Sequence, residues 1–201
     1  MYNHRLLLLK DHLMNRTFCA TLIFLLMLLS CGRVHAESIY LVAASLIDPL
    51  NGSVISNPVV EIQGDRIVAV RSDGKVPGNA RVYDLENATL LPGLADLHVH
   101  LTWNPSDLGY EGLAVSTTDE AIRGVVNAGK TLMAGFTVAR NLGATGYADV
   151  SLRDAIADGS IPGPRLQVSG EMIGSTGGHC DNNKLPVEYD VSREGVADGP
   201  W

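Results

Sequence analysis

The sequence predicts an α/β protein in two parts, a small all-β segment followed by strands and helices that alternate around a parallel sheet. Three observations carry this expectation. Residues 38–91 form a series of short β-type runs separated by turn residues. From Leu94 onward, strand-like stretches alternate with a helical period of three and four. Breakers stand where the period changes, at Pro92-Gly93, Gly135 and Gly159.

The first 36 residues read as a targeting segment. Arg16 precedes an apolar run from Phe18 to Leu29, about 12 residues, which is too short to span a bilayer and the right length for a signal-peptide core. Val34-His35-Ala36 places small residues where signal peptidase reads, so cleavage after Ala36 is expected. Met14 is a second candidate start, because Met1–Leu13 is long for the region before such a core. Leu28-Leu29-Ser30-Cys31 offers a rival, a lipoprotein signal with its anchor at Cys31. The expected location is therefore exported, periplasmic or secreted, with no transmembrane helix in the mature chain.

Residues 37–91 are expected to form a small β-sandwich. Its strands are Ile39–Val42, Pro58–Ile62, Arg66–Arg71 and Arg81–Leu85, with turns at Asp48–Gly52, Gln63–Asp65 and Ser72–Gly74. Gly64-Asp65 between two apolar runs reads as a hairpin. Residues 92–201 supply about three βα units. Strand Leu94–His100 leads through a long loop to a helix from Thr118 to Ala134, with a capping box in Thr117-Thr118-Asp119-Glu120. Ile122, Val125, Val126, Gly129, Leu132 and Met133 make its expected core stripe. Gly135 ends it, strand Phe136–Arg140 follows, then helix Val150–Asp158, strand Leu166–Ser169 and a glycine-rich loop to Asp190.

The net charge is −7. The first 36 residues hold Arg5, Lys10, Arg16, Arg33 and Asp11, so residues 37–201 keep 11 of the 15 basic and 21 of the 22 acidic groups. Such an acidic surface repels phosphates and excludes a nucleic-acid partner. Of three cysteines, Cys19 and Cys31 fall in the targeting segment, which leaves Cys180 without an internal disulfide partner. It is read as a packed loop residue rather than a nucleophile. Gly174-Ser175-Thr176-Gly177-Gly178 lacks the lysine and spacing of a phosphate loop.

The chemistry concentrates in Leu91-Pro92-Gly93-Leu94-Ala95-Asp96-Leu97-His98-Val99-His100-Leu101. Residues two apart on a strand share a face, so His98 and His100 project together, with Asp96 one step back and Leu97, Val99 and Leu101 facing a helical layer. Two imidazoles fixed on one strand are half of a divalent metal site.

Pro-Gly-x-x-Asp-x-His-x-His resembles the first-strand signature of the amidohydrolase superfamily of metal-dependent hydrolases. Ala134–Asn141, Leu152–Ile156 and Ile161–Arg165 resemble the family's next segments in order, and Gly177-Gly178-His179-Cys180-Asp181 resembles the branch of imidazolonepropionase-like enzymes and Xaa-Pro or Xaa-Arg type dipeptidases. The resemblance runs from about residue 39 to 201. It implies the N-terminal part of a (β/α)8 barrel preceded by the sandwich domain. It also implies hydrolysis of an amide or cyclic amide C–N bond with one or two divalent metal ions, zinc foremost.

His98 and His100 would be ligands of that metal. Arg140, His179 and Tyr110 are the substrate-binding candidates: Arg140 for a carboxylate, His179 for a carbonyl or oxyanion, Tyr110 as a pocket wall. The family's strand-four lysine or glutamate, two later histidines and general-base aspartate have no match here, and Lys184 does not fit that lysine. The expected substrate is a small molecule or dipeptide, with homo-oligomers possible once complete and this chain alone inactive. A cyclic-amide hydrolase and a truncated, non-catalytic relative stand as the alternatives.

Overall fold

The structure, a computed structural model, describes residues 37–107, 109–181, 186, 188, 189 and 194–200. Residues 1–36, where a targeting segment with Cys31 and Ala36 is expected, and also Lys184, lie outside the described residues. The chain divides into two compact units between Leu90 and Leu91.

The first unit holds seven described strands: β1 (Ser38–Val42), β2 (Ser45–Ile47), β3 (Val54–Ser56), β4 (Val59–Gln63), β5 (Arg66–Arg71), β6 (Arg81–Asp84) and β7 (Thr89–Leu90). They form one sheet in the order β5-β4-β1-β6 and a second in the order β3-β2-β7. Antiparallel β4 and β5 make the hairpin expected at Gly64-Asp65, where Gly64 takes the left-handed φ of +60° that the turn requires. The Asp48–Gly52 turn closes a further hairpin, β2–β3, whose strands are too short to show as a sequence period. Tyr40, Val59 and Val60 are buried, and Arg71 reaches Glu61 at 3.0 Å.

The second unit holds the βα alternation. Strands β8 (Leu94–Val99), β9 (Phe136–Asn141) and β10 (Arg165–Val168) are parallel in the order β10-β9-β8. Helix α1 (Thr117–Met133) connects β8 to β9, and α2 (Ala148–Ala157) connects β9 to β10. Leu101, Ala128 and Leu152 form the buried centre, with Val99, Ile156, Ile161 and Leu166 packed on it. Truncating Leu152 to alanine in such a core typically costs about 2–5 kcal/mol.

Two expectations about α1 are corrected. The capping box starts one residue earlier than read: the Ser116 side chain accepts from the Asp119 N–H, and the Asp119 carboxylate accepts from the Ser116 N–H. The buried face of α1 is Glu120, Gly124 and Ala128, while Ile122, Val125, Val126 and Met133 are exposed, Met133 by 86%. Gly124 and Ala128 are small where α1 comes close to its neighbours, and the Glu120 carboxylate accepts from the Thr145 N–H. A methyl at Gly124 would sit 3.0 Å from Leu152 Cδ2 and 3.3 Å from Thr102 Cγ2.

Candidate active site

Strand β8 carries the central residues, and it is not a regular strand. Asp96 pairs with Ala139 and Val99 with Asn141, so three steps on β8 match two on β9. This bulge modifies the simple alternation read from sequence, since a bulge re-aims the side chains around it. Leu97 is 58% exposed instead of packed beneath helices, whereas Val99 and Leu101 do face the helical core. Asp96 turns its carboxylate onto its own strand, accepting from the His98 N–H at 3.0 Å.

His98 and His100 nevertheless meet, with ring centroids 5.5 Å apart and planes at 66°. His98 is exposed, and His100, one residue beyond the strand end, is half-buried. The His100 ring stacks flat on Trp103, 4.8 Å between centroids and 5° between planes. Its Nδ1 is buried and has no hydrogen-bond partner. Burial pushes the His100 pKa below the usual histidine range, and the charges of His98 and His179 push the same way, against the backbone of Gly143. The downward shift favours the neutral imidazole, the form that ligates metal.

The loop after β8 is fastened to α1. Asn127 donates from Nδ2 to the carbonyls of Leu101 (2.9 Å) and Trp103 (3.3 Å), and Asp107 accepts from the Asn104 N–H (2.7 Å) and from Arg123 (2.6 Å). Beneath the histidines lies a buried polar pair that the sequence reading missed. Asn141 Oδ1 accepts from the Leu101 N–H at 2.7 Å, and Asn141 Nδ2 donates to the Gly143 carbonyl at 3.0 Å and to Asp149 Oδ2 at 3.2 Å. Asp149 Oδ2 also accepts from the Gly170 N–H at 3.2 Å. The sequence signal was a polar residue closing an apolar strand, Asn141, and an aspartate in the first turn of a helix, Asp149, a place usually explained by the helix dipole.

The other candidates are placed differently. Arg140 donates from Nε to the Leu97 carbonyl at 2.7 Å, so part of its guanidinium braces the bulge. His179 is exposed in a loop folded on itself by Gly178 N–H to the Ser175 carbonyl (2.9 Å) and Gly177 N–H to Asp181 Oδ2 (2.9 Å). Its charge acts on His100, which puts it with the two strand histidines electrostatically. Cys180 is a free, half-buried thiol packed against Gly174. Tyr110 is 60% exposed on the 3-10 segment Gly109–Ala114. Among the described residues, no three histidine, cysteine, aspartate or glutamate side chains converge as a complete metal site.

The second unit is an α/β scaffold, three parallel strands joined by helices, with His98 and His100 at the C-terminal end of β8. The chain belongs to the amidohydrolase family, whose model matches residues 89–199. Among solved structures it is similar to a Xaa-Pro dipeptidase with bound methionine in its active site. That similarity has 31% identity and a TM-score of 0.70, over 81% of this chain and 41% of the other. It is 28% identical to Aspergillus niger ochratoxinase over 163 residues, 78% of this chain and 33% of that protein. The solved ochratoxinase structure aligns with a TM-score of 0.63 at 27% identity, over 82% of this chain and 41% of that one. A shorter likeness, 39% over 67 residues, joins it to an allantoinase of Streptomyces avermitilis, covering 33% of this chain and 15% of that protein. The chain thus spans about a third of the length of the ochratoxinase and two-fifths of that of the dipeptidase it matches.

Proposed function

We propose that this chain carries the first two metal ligands of a metal-dependent amidohydrolase that cleaves amide C–N bonds in small substrates, dipeptides first. The observation that carries this reading is the meeting of the exposed His98 ring with the half-buried His100 ring, 5.5 Å between centroids, with no full hydrogen bond at the buried His100 Nδ1. Two imidazoles held side by side, one with a buried nitrogen, fit a divalent cation, and two nitrogen donors suit zinc. Bound there, such an ion would polarise a carbonyl and make water more acidic. The dipeptidase preference draws on the similarity to a Xaa-Pro dipeptidase.

In this reading, residues 92–201 are the opening part of a (β/α)8 barrel and residues 37–91 a β-sandwich domain. The exposed apolar side chains of α1 and of β8 would be covered as further βα units close the ring.

The side chains divide the work. Trp103 covers one face of His100 and limits its rotation. His98 stands on the open side, where substrate arrives. Arg140, with Nε committed to Leu97, would offer its remaining donors to a substrate carboxylate. His179 would donate to the carbonyl under attack, and Tyr110 would line the entrance.

The decisive experiment uses the full chain as its gene encodes it, purified, with metal content measured before and after chelation. Chelator-sensitive turnover of dipeptides in preference to cyclic amides is expected, with metal content falling in His98→Ala and His100→Ala. Full metal content in both variants would remove the metal site. Turnover of cyclic amides alone would replace the dipeptidase assignment. Export is proposed with it: mature protein should begin at Glu37 by mass spectrometry, and a lipidated Cys31 at the N-terminus would replace soluble export with a membrane anchor.

A further inference from the structure

We infer that Asn141 is the positioning residue for His100, and that Asp149 is the anchor that holds Asn141 in place. The geometry leaves one kind of side chain for position 141. The Leu101 N–H demands an acceptor at 2.7 Å, and the Gly143 carbonyl demands a donor at 3.0 Å. Asp149 Oδ2, as a carboxylate oxygen, demands a second donor at 3.2 Å. A primary amide meets all three needs at once, with one oxygen and two N–H bonds. A carboxylate of the same shape supplies the acceptor and neither donor, and would face Asp149 as a second buried acid. An aliphatic side chain removes the partner of the Leu101 N–H and of the Gly143 carbonyl at this position and strips Asp149 Oδ2 of one of its two donors.

What this hub fixes is the end of each strand in the parallel sheet. Leu101 directly follows His100, so the 2.7 Å bond holds the backbone that aims the imidazole. Gly143 lies against the same ring: a methyl there would come 3.6 Å from His100 Cε1 and would collide with the Met172 side chain. Asp149 extends the hub to Gly170, just beyond β10. Asn141 and Asp149 are both fully buried, so solvent cannot substitute for any of these bonds. His100 is thus held from two sides, by Trp103 on its face and by Asn141 through its backbone.

The consequence for metal binding rests on reading His100 as a ligand, while the positioning itself does not. The test therefore has two readouts, made on the full chain as its gene encodes it. The first is the NMR shift of the His100 Cε1 proton after selective 13C labelling of histidine, assigned by its disappearance in His100→Gln. The ring current of the stacked Trp103 displaces this signal, which makes it sensitive to imidazole position. The second is zinc affinity by competition with a chromophoric chelator.

Asn141→Asp should move the His100 signal towards that of an unstacked histidine and weaken zinc binding by about tenfold or more. The exchange Asn141→Asp with Asp149→Asn should recover part of both, because it removes the facing pair of carboxylates. In that pair the amide donates from position 149 and the carboxylate at position 141 accepts from it and from the Leu101 N–H, while the Gly143 bond and the Gly170 N–H bond to that atom of residue 149 are lost. If Asn141→Asp does not fold, Asp149→Ala replaces it, with a shift in the same direction and smaller. A lowered thermal midpoint with the His100 signal unmoved would reduce Asn141 to a structural residue and overturn the proposal. Zinc affinity unchanged in His100→Gln would instead overturn the ligand reading, and the NMR comparison would still decide the positioning.

Discussion

Arg140 donates from Nε to the carbonyl oxygen of Leu97, 2.7 Å away on the neighbouring strand. That carbonyl sits in the bulge of β8, where the register against β9 is broken between Asp96 and Val99. Ladder partners are lost at a bulge, and an unpaired carbonyl is costly unless a side chain reaches it. The arginine therefore stiffens the backbone at the residue immediately before His98.

From this bond we expect Arg140→Ala to act on stability as well as on substrate. The loss of one charge-assisted bond at an exposed position should cost about 1 kcal/mol in chemical denaturation. Arg140→Lys should not recover it, because an ammonium on a flexible stem cannot reproduce the Nε geometry. Kinetically, a raised KM with kcat retained is expected if the remaining guanidinium donors hold a substrate carboxylate. A variant with unchanged stability would mean that the brace contributes nothing measurable.

Helix α1 gives a pH prediction. The side chain and backbone of Ser116 hold the Asp119 carboxyl below its usual range. A carboxylate with a depressed folded pKa contributes stability above its unfolded value, about 3.9, and that contribution is lost as pH falls through the folded value. Thermal midpoints should thus decline in acid partly through Asp119, and Asp119→Asn should flatten that part of the profile. Ser116→Ala should cost about 1 kcal/mol at neutral pH by removing the N-cap. Identical acid profiles for the parent and Asp119→Asn would exclude this cap as a source of the pH dependence.

The parts legible in the sequence were those governed by local period and by breakers. β8, β9, β10, α1 and α2 all follow from alternation, from three-and-four spacing and from Gly135 and Gly159, with ends displaced by one or two residues. His98 and His100 were legible because two histidines two residues apart on a strand are a chemical pattern in themselves. The packed side of α1 was not, because Gly124 and Ala128 carry no hydrophobic weight and face the core only for their small size. The Asn141–Asp149 pair was hidden because neither residue is unusual alone, and their meaning arises only when β9, α2 and the loops after β8 and β10 converge. Arg140 was read for its charge, while its geometry was set by a bulge that no alternation pattern announces.

The 201-residue chain by itself should not turn over dipeptides. Beyond residue 36 its histidines are His98, His100 and His179. Two imidazoles supply half of a tetrahedral shell, and no third donor joins them among the described residues. Zinc titration of this polypeptide should show weak binding, and assays with zinc added should stay at the level of the uncatalysed reaction. Zinc-dependent turnover abolished by a chelator would show that the chain holds more of the site than these two ligands.

The sharpest prediction separates His98 from His100, two residues that the sequence treats alike. His98 is exposed, so His98→Ala in the full chain should change stability by no more than about 0.5 kcal/mol. His100 is half-buried and stacked on Trp103 at 4.8 Å, so His100→Ala should lose that stacking, about 1 kcal/mol, as well as its ligand role. Both variants should lose metal and turnover to a similar degree, because a site missing either donor is equally incomplete. Denaturation curves set beside metal analysis separate the two effects. Equal stability losses would mean that the Trp103 stack does not hold His100. Full metal retention in His98→Ala with loss in His100→Ala would leave the buried imidazole as a ligand and assign the exposed one to substrate.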